Sequence, residues 1–375
     1  MIQIVEVRTK KQIKDFAKFP IKLYKDCPYY VPSFLSDEIN IFNSKKNFRL
    51  DKNVLKGFLA YKDGVLVGRI AGLINTEHNK ITGKNYIRFS RLDAIDDLEV
   101  FEALIKAVEN FGKSYGMQYI HGPWGFTDQD REGMLTYGFN ERSTYSTEYS
   151  HEYYHKNIEK LGFNDESKWV EYKFSIPDEP YDRITSISQK LKERYKLIEV
   201  FDHYRLKQII KRYGHKLFDL INEVYGDLDG YVPVEGKAVD NVLSQFATIV
   251  NTKYVSILVD ENDEIMAFGI VLPSIADALI KNRGKLFPFG FIRLLKAIKS
   301  PKQLEMALIG VKKEHQNTGI NSIVISRIMN NVVKDNIELI ESNPMLESNY
   351  NIQQQWKFAE RTVHKKRQTY VKEIV

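Results

Sequence analysis

Apolar residues run in short blocks from Gly57 to Tyr61 and from Val65 to Asn75, on either side of Lys62-Asp63-Gly64. Two strand-like blocks around an Asp-Gly turn predict a β-hairpin. A third strand is predicted over Tyr86 to Leu92. Val100, Phe101, Leu104, Val108 and Phe111 then recur at helical spacing, so Leu98 to Tyr115 reads as a helix with Asp96 and Asp97 as candidate caps and Gly116 as its stop. A short strand over Gln118 to His121 meets Gly122-Pro123, and a helix is predicted from His151 to Leu161, before Gly162. The opening MIQIVEVRTKK alternates as a strand does and runs into lysines, with neither the apolar block nor the cleavage pattern of an export signal.

The same order recurs in the second half. Strands are predicted at Tyr254 to Val259 and Ile265 to Leu272 around the polar turn Asp260 to Glu264, then at Leu304 to Val311. A helix from about Gly319 to Lys334, a strand Ile337 to Glu341 and a helix near Leu346 to Phe358 follow. The hairpin turns lie about 199 residues apart and the late strands about 219, so the second copy carries an insertion. It is placed at 281–301, an aromatic and basic stretch without a counterpart. Ser175 to Tyr181, with Pro177 and Pro180, reads as a linker, which sets the boundary near 177 and two domains, 1–177 and 178–375. Because strands and helices alternate in both, each is expected to be α/β, a mixed sheet with helices on both faces.

Size agrees with this division: 375 residues suit two domains at ~150 residues each. Hydrophobic residues at 43%, with 22 Tyr and 21 Phe, are enough for sizeable cores. The lone Cys27 forms no internal disulfide and has no metal-ligand spacing around it, which fits a reducing compartment. No apolar stretch approaches the ~18 residues of a membrane span. A cytoplasmic protein without a membrane span or a metal is therefore the expectation. The net charge of +6 favours anionic partners, phosphate-bearing cofactors among them. Nucleic acid is disfavoured, because the lysines are dispersed and no zinc-finger, RNA-binding or helix-turn-helix pattern is present.

The stretch with the clearest chemistry is Leu304 to Asn330: a strand, then Gln316-Asn317-Thr318-Gly319-Ile320-Asn321-Ser322, then an amphipathic helix. The first N–H groups of a helix have no intrahelical partners and the dipole adds positive potential, so a pyrophosphate can rest there, with Gly319 allowing close approach. The plain alternative is that Thr318-Gly319 only caps an ordinary helix. In the first half the matching turn, Ala94-Ile95-Asp96-Asp97, has no glycine and two carboxylates, which repel a pyrophosphate. The first domain is accordingly expected to be structural or to face the substrate, its Trp124 to Phe139 loop closing part of a cleft.

Gln316 and Gly319 match the acyl-CoA loop Q/R-x-x-G-x-G/A, and here the chain resembles the GNAT superfamily of acyltransferases. Asn321 stands where a second Gly or Ala is usual; asparagine is the next most tolerant residue of left-handed backbone angles. The resemblance covers most of the chain, specifically large bacterial proteins of this superfamily with a degenerate first domain. It is carried by Tyr29-Tyr30-Val31-Pro32, Gly68-Arg69-Ile70, Ile95-Asp96-Asp97, His121-Gly122-Pro123, Gly133-Met134-Leu135 with Gly138-Phe139, and Glu341 with Leu346-Glu347 and Asn349. It implies two tandem GNAT-like domains and an acyl-CoA site in the second alone, with acetyl-CoA as the default donor and a longer acyl-CoA as the variant. The acceptor it implies is a small-molecule or peptide amine. Backbone at Gly310 and Val311 would hold the carbonyl and pantetheine, and Asn349 resembles the superfamily's asparagine that meets the cofactor.

Direct acyl transfer needs a neutral amine, a polarised carbonyl and a stabilised thiolate. Glu341, at the carboxyl end of a strand where ligands of open α/β sheets gather, is the candidate base; a solvated or capping carboxylate is its plain alternative. Many superfamily members carry a tyrosine acid seven residues after Asn349, where this chain has Trp356, an indole that moves no proton usefully. Tyr350 is the substitute candidate, and Trp356 is expected to pack on the cofactor. A non-catalytic acyl-CoA-binding protein is the rival reading. A peptidoglycan aminoacyl-transfer enzyme is a third, disfavoured by the absence of a concentrated basic face for tRNA. The insertion sets Phe287, Phe289, Phe291, Ile292, Leu294 and Leu295 beside Arg293, Lys296 and Lys299. It is expected to pack between the domains, with cover for an acyl chain, contact with an acidic carrier and contact with anionic lipid as the other readings.

Overall fold

The computed structural model describes residues 1–127, 130–179, 182–228, 231–356 and 359–374. Pro180 and Tyr181 of the expected linker and Phe358 of the expected last helix lie outside these. The strands are β1 (Ile2–Glu6), β2 (Asn53–Lys62), β3 (Val65–Asn75), β4 (Tyr86–Ala94), β5 (Tyr119–Gly122), β6 (Met134–Tyr137), β7 (Asn164–Phe174), β8 (Ile198–Glu199), β9 (Val255–Val259), β10 (Ile265–Pro273), β11 (Gln303–Val311), β12 (Leu339–Glu341), β13 (Met345–Leu346) and β14 (Arg361–Glu373). The β2–β3 turn takes positive φ at both Asp63 (51°) and Gly64 (82°), the geometry that follows the right-handed twist of the strands it joins.

All fourteen strands belong to one mixed sheet, in the order β1-β2-β3-β4-β5-β14-β7-β12-β11-β10-β9-β8, with β6 on β14 and β13 on β7. This order is a two-fold repeat about the antiparallel pair β7/β14. On one side β14 borders β5, which runs parallel to β4; on the other β7 borders β12, which runs parallel to β11. The halves of the chain have exchanged strands: β7 closes the first half yet pairs with β12 of the second, while β14 closes the second yet pairs with β5 of the first.

Helices cover both faces. Leu98–Lys113 buries Val100, Phe101, Leu104 and Val108 against the first half of the sheet. Asn321–Lys334 buries Ile323, Val324, Ile328 and Val332 against the second half, and the helices Leu206–Tyr225 and Lys237–Phe246 close its other face. Glycines set the contact distance: a Cβ on Gly72 would lie 2.9 Å from Phe111, and one on Gly269 2.3 Å from Val324. Each buried Leu, Val, Ile or Phe contributes roughly 1.5–3 kcal/mol, so these crossover helices hold largely by area removed from water.

The exchange is locked by charge. Glu171 on β7 is fully buried and meets Lys365 Nζ at 2.9 Å and Arg367 Nε, both on β14 and both buried. Burial pushes the Glu171 carboxyl up, but the Arg367 guanidinium and the Lys365 ammonium outweigh it and hold the pKa at about 2. A depressed carboxylate adds stability that is present above its unfolded value and lost only as pH falls toward 2. Glu171→Gln keeps the shape but removes the acid from the buried Arg367 and leaves Lys365 with Glu341 alone, and should lower the free energy of unfolding by about 3–5 kcal/mol in urea titrations at pH 7. A loss no larger than that of the surface change Glu102→Gln would show that the pair does not lock the sheet.

Candidate active site

β11 and β12 pair over three residues only, Gln303 with Leu339, Leu304 with Ile340 and Glu305 with Glu341, and then part. Residues 306–311 continue along β10, with Ala307 bulged out of register, and among the described residues no strand lies on their other side. Side chains meet that open edge instead. Tyr225, at the end of the helix 206–225, accepts from Ile309 N (3.1 Å) and donates to Ile309 O (3.0 Å), and Gln316 Nε2 donates to Val311 O (3.4 Å).

Past Val311 the chain makes a single turn at Lys313–His315 and enters the helix 321–334 through the loop singled out in the sequence. The left-handed angles fall on Asn317 (φ 63°) and Gly319 (φ 86°), whereas Asn321 opens the helix; no left-handed cost arises at Asn321. A Cβ on Gly319 would lie 3.3 Å from Leu191. Thr318 Oγ1 donates to His315 O (2.6 Å). No side chain caps this helix and no acid lies in its first turn; Ser322 Oγ is shielded from solvent with no hydrogen bond among the described residues. An uncapped N-terminus with an orphaned hydroxyl fits a phosphate group well.

The first half repeats the parting and then fills it. β4 and β5 pair from Tyr86/Tyr119 to Arg88/His121. The following loop turns back so that Trp124 N donates to Phe89 O (2.9 Å), and the buried Arg88 donates to the carbonyls of Gly125 and Phe126. Asp97 caps the helix 98–113 and pairs with Lys62 at 2.5 Å. The strand edge and helix end left open in the second half are taken up by the chain itself in the first.

At the point where β11 and β12 part lies a cavity of about 910 Å³, within the usual range of ligand pockets. Its walls in the second half are apolar, with Leu228, Phe246, Ile249, Leu272, Leu294 and Met329. Its end in the first half is charged, with Lys46, Arg49, Arg91, Arg131 and Glu148. Most of that charge is matched: Arg49 meets Asp130 at 2.7 Å, Arg91 meets Glu38 at 3.1 Å, and Arg131 donates to Tyr145 O. The first half also reaches in through Tyr145, whose backbone N–H donates to the Glu305 carboxylate at 3.2 Å, and Ser146, which donates to Asn343 at 2.7 Å.

Glu305 lines the cavity and is buried; burial, aided by the neighbouring Glu341 carboxylate, raises its pKa to about 7 against the pull of Ser274 and Lys365. Burial also raises Glu341, opposed chiefly by Lys365, whose ammonium lies 3.4 Å away. Two carboxylates and one lysine thus share the apex, and Glu305 is the one on the cavity wall.

Of the residues singled out in the sequence, Asn349 and Trp356 line the cavity, Glu341 stands beside Glu305, and Gly310 and Val311 connect the cavity strand to the 316–322 loop. Asn349 caps its own helix by accepting from Ile352 N (3.2 Å), and Trp356 packs edge-on against Phe174. Tyr350 is 72% exposed and is not on the cavity wall. Sequence reasoning missed Glu305, inside a strand it had drawn, and Tyr225 and Tyr145, which lie outside any motif. The one available signal was a lone acid, Glu305, in the apolar run Leu304 to Val311.

No family model matches the chain. It is 28% identical over 354 residues to Protein YghO of Escherichia coli (strain K12), covering 91% of this chain and 87% of that protein. It is 24% identical over 324 residues to the bacterial ceramide synthase of Caulobacter vibrioides (strain NA1000 / CB15N), covering 84% of this chain and 82% of that one. Among solved structures, a tandem GNAT protein from the clavulanic acid biosynthesis pathway matches 100% of this chain and 99% of its own, with a TM-score of 0.58 at 10% identity. The chain has the tandem GNAT fold.

Because the folded-state pKa of Glu305 exceeds its unfolded value near 4.5, the folded protein binds the extra proton between the two and loses stability as pH rises from 4.5 to 7. Glu305→Gln removes that cost, roughly 3 kcal/mol. The variant should melt above the parent at pH 8 and level with it at pH 5 by differential scanning calorimetry. An equal difference at both values would mean that Glu305 is not held in this state.

Proposed function

We propose that this tandem GNAT-fold protein transfers the acyl group of an acyl-CoA thioester directly to the primary amine of a long-chain amphiphile. The observation that carries the reading is the buried Glu305 on the wall of a large, mostly apolar cavity, at the parting of two parallel strands. The thioester supplies an activated carbonyl. The uncapped turn 316–322 would receive the pyrophosphate on backbone N–H groups, and the edge of β11 from 306 to 311 would lie along the pantetheine. Glu305, half ionised near pH 7, takes the proton from the incoming ammonium. The neutral nitrogen then bonds to the carbonyl carbon, the C–S bond breaks, and the nitrogen's remaining excess proton passes to the sulfur, leaving an amide and a free thiol.

Two features favour a long-chain acceptor over a small polar amine. The cavity joins apolar walls to a charged end, which suits a molecule with a hydrocarbon tail and a polar head. The Caulobacter relative is named for ceramide, which is by definition the amide of a fatty acid and a long-chain amino alcohol. Glu341, ion-paired to Lys365, keeps a second carboxylate near Glu305 and so holds the pKa of the base up. A non-catalytic acyl-CoA-binding role is the second reading, favoured by Trp356 at the cavity and Tyr350 away from it.

Purified protein should release thiol from palmitoyl-CoA in the presence of a long-chain amino alcohol, with the amide identified by mass spectrometry. Release from acetyl-CoA or with amino sugars should be at least about tenfold slower. Activity should rise through pH 7 as Glu305 ionises. Glu305→Gln should lower kcat/KM by about 10²-fold or more and erase that limb, leaving only the amine's own ionisation at higher pH. Gly319→Arg, forced to a positive φ and crowded against Leu191, should distort the 316–322 turn and abolish CoA binding in calorimetry while the protein stays folded. Tight acyl-CoA binding without thiol release for any amine would favour the second reading.

A further inference from the structure

Between Ala278 and Leu304 the chain holds seven Lys or Arg residues and no Asp or Glu. Lys302 pairs with Glu338; Lys281, Arg283, Lys285, Arg293, Lys296 and Lys299 form no ion pair among the described residues. This stretch contains the helix Gly290–Lys299, and the helix has two unlike faces. The inner face puts Leu294, Ala297 and Ile298 against Val31 and Phe34 of the first half and Ile275 of the second, and Leu286 and Leu294 form part of the cavity wall. The outer face leaves Leu295 58% exposed, with Phe291 and Ile292 beside it, and Phe287 and Phe289, just before the helix, are 78% and 69% exposed. Large apolar side chains clustered in water are uncommon on a monomer and mark an interaction surface.

We propose that this face docks the protein on a bilayer containing anionic lipid, with the helix 290–299 lying in the plane of the interface. Aromatic and aliphatic side chains projecting between unpaired cations enter the headgroup and acyl boundary while the cations meet lipid phosphates. A second copy of the chain fits poorly, because two such faces would bring like charges together. The docked face is the outside of the wall whose inside, at Leu286 and Leu294, belongs to the cavity. Among the described residues no helix is long and apolar enough to cross a membrane, so attachment is to one leaflet.

The test is sedimentation of the full chain with vesicles of phosphatidylethanolamine and phosphatidylglycerol, against vesicles of phosphatidylcholine. Binding to the anionic vesicles should be at least about tenfold tighter and should weaken with salt. Phe287→Ser with Phe289→Ser should weaken it about tenfold in low and high salt alike, and Lys296→Glu with Lys299→Glu about tenfold in low salt. All four side chains are exposed, so circular dichroism and Tm should match the parent. Absent binding, equal binding to both lipids, or variants that bind as the parent does would each overturn the proposal. So would a dimer in solution that dissociates on Phe287→Ser. Binding is read without turnover, so its outcome is separate from that of the proposed reaction.

Discussion

The structure depends on one antiparallel contact, β7 against β14, and on the ionised cluster buried in it. Without β14 the sheet of the first half ends at β5; without β7 the sheet of the second ends at β12. Each half of the chain lends its last strand to the other, and Glu171, Lys365 and Arg367 sit where the loans cross. Burying three charges is costly in itself, so the cluster favours this pairing chiefly by penalising others: any register that separates Glu171 from the two cations leaves charge buried without a partner. Lys365 also reaches Glu341, which ties the joint to the carboxylate pair beside the cavity.

The two-fold repeat makes the difference between the halves informative. Both have parallel strands that pair for three residues and part, and both follow with a helix on one face. In the first half the opening is closed by Trp124 and by Arg88 on the Gly125 and Phe126 carbonyls, and the helix N-terminus is capped by Asp97. In the second, among the described residues, Tyr225 and Gln316 meet the strand edge and the helix is uncapped. The pair Arg88 and His121 of the first parting corresponds to Glu305 and Glu341 of the second. One copy thus fills its parting and the other opens onto the cavity. The first half also touches Glu305, whose carboxylate accepts from Tyr145 N, a contact that opposes the rise that burial and Glu341 give its pKa.

The cavity takes its amphiphilic character from lying between the halves. Apolar walls come from the second half and its 281–301 segment, and the charged end from the loops of the first. That segment faces two ways, packing between the halves as its apolar spacing implies while keeping its aromatic residues outside.

What the sequence determined by itself was local. Asp63-Gly64 dictates the first hairpin, the 3.6-residue spacing of Val100 to Phe111 dictates the first crossover helix, and Leu304 to Ser322 dictates a strand turning through Gly319 into a helix. Each of these rests on residues within about twenty positions of one another. Two features escaped. β14 carries six charged residues in thirteen, a pattern of surface chain, yet Lys365 and Arg367 are buried because Glu171, nearly two hundred positions earlier, neutralises them. Glu305 reads as a stray acid in a strand until β12 brings Glu341 beside it and the first half brings Tyr145 over it. Strand neighbours and the burial of charge are settled by pairings between distant segments, which no local spacing encodes, so only the tertiary structure decided where Glu305, the cavity and the last strand lie.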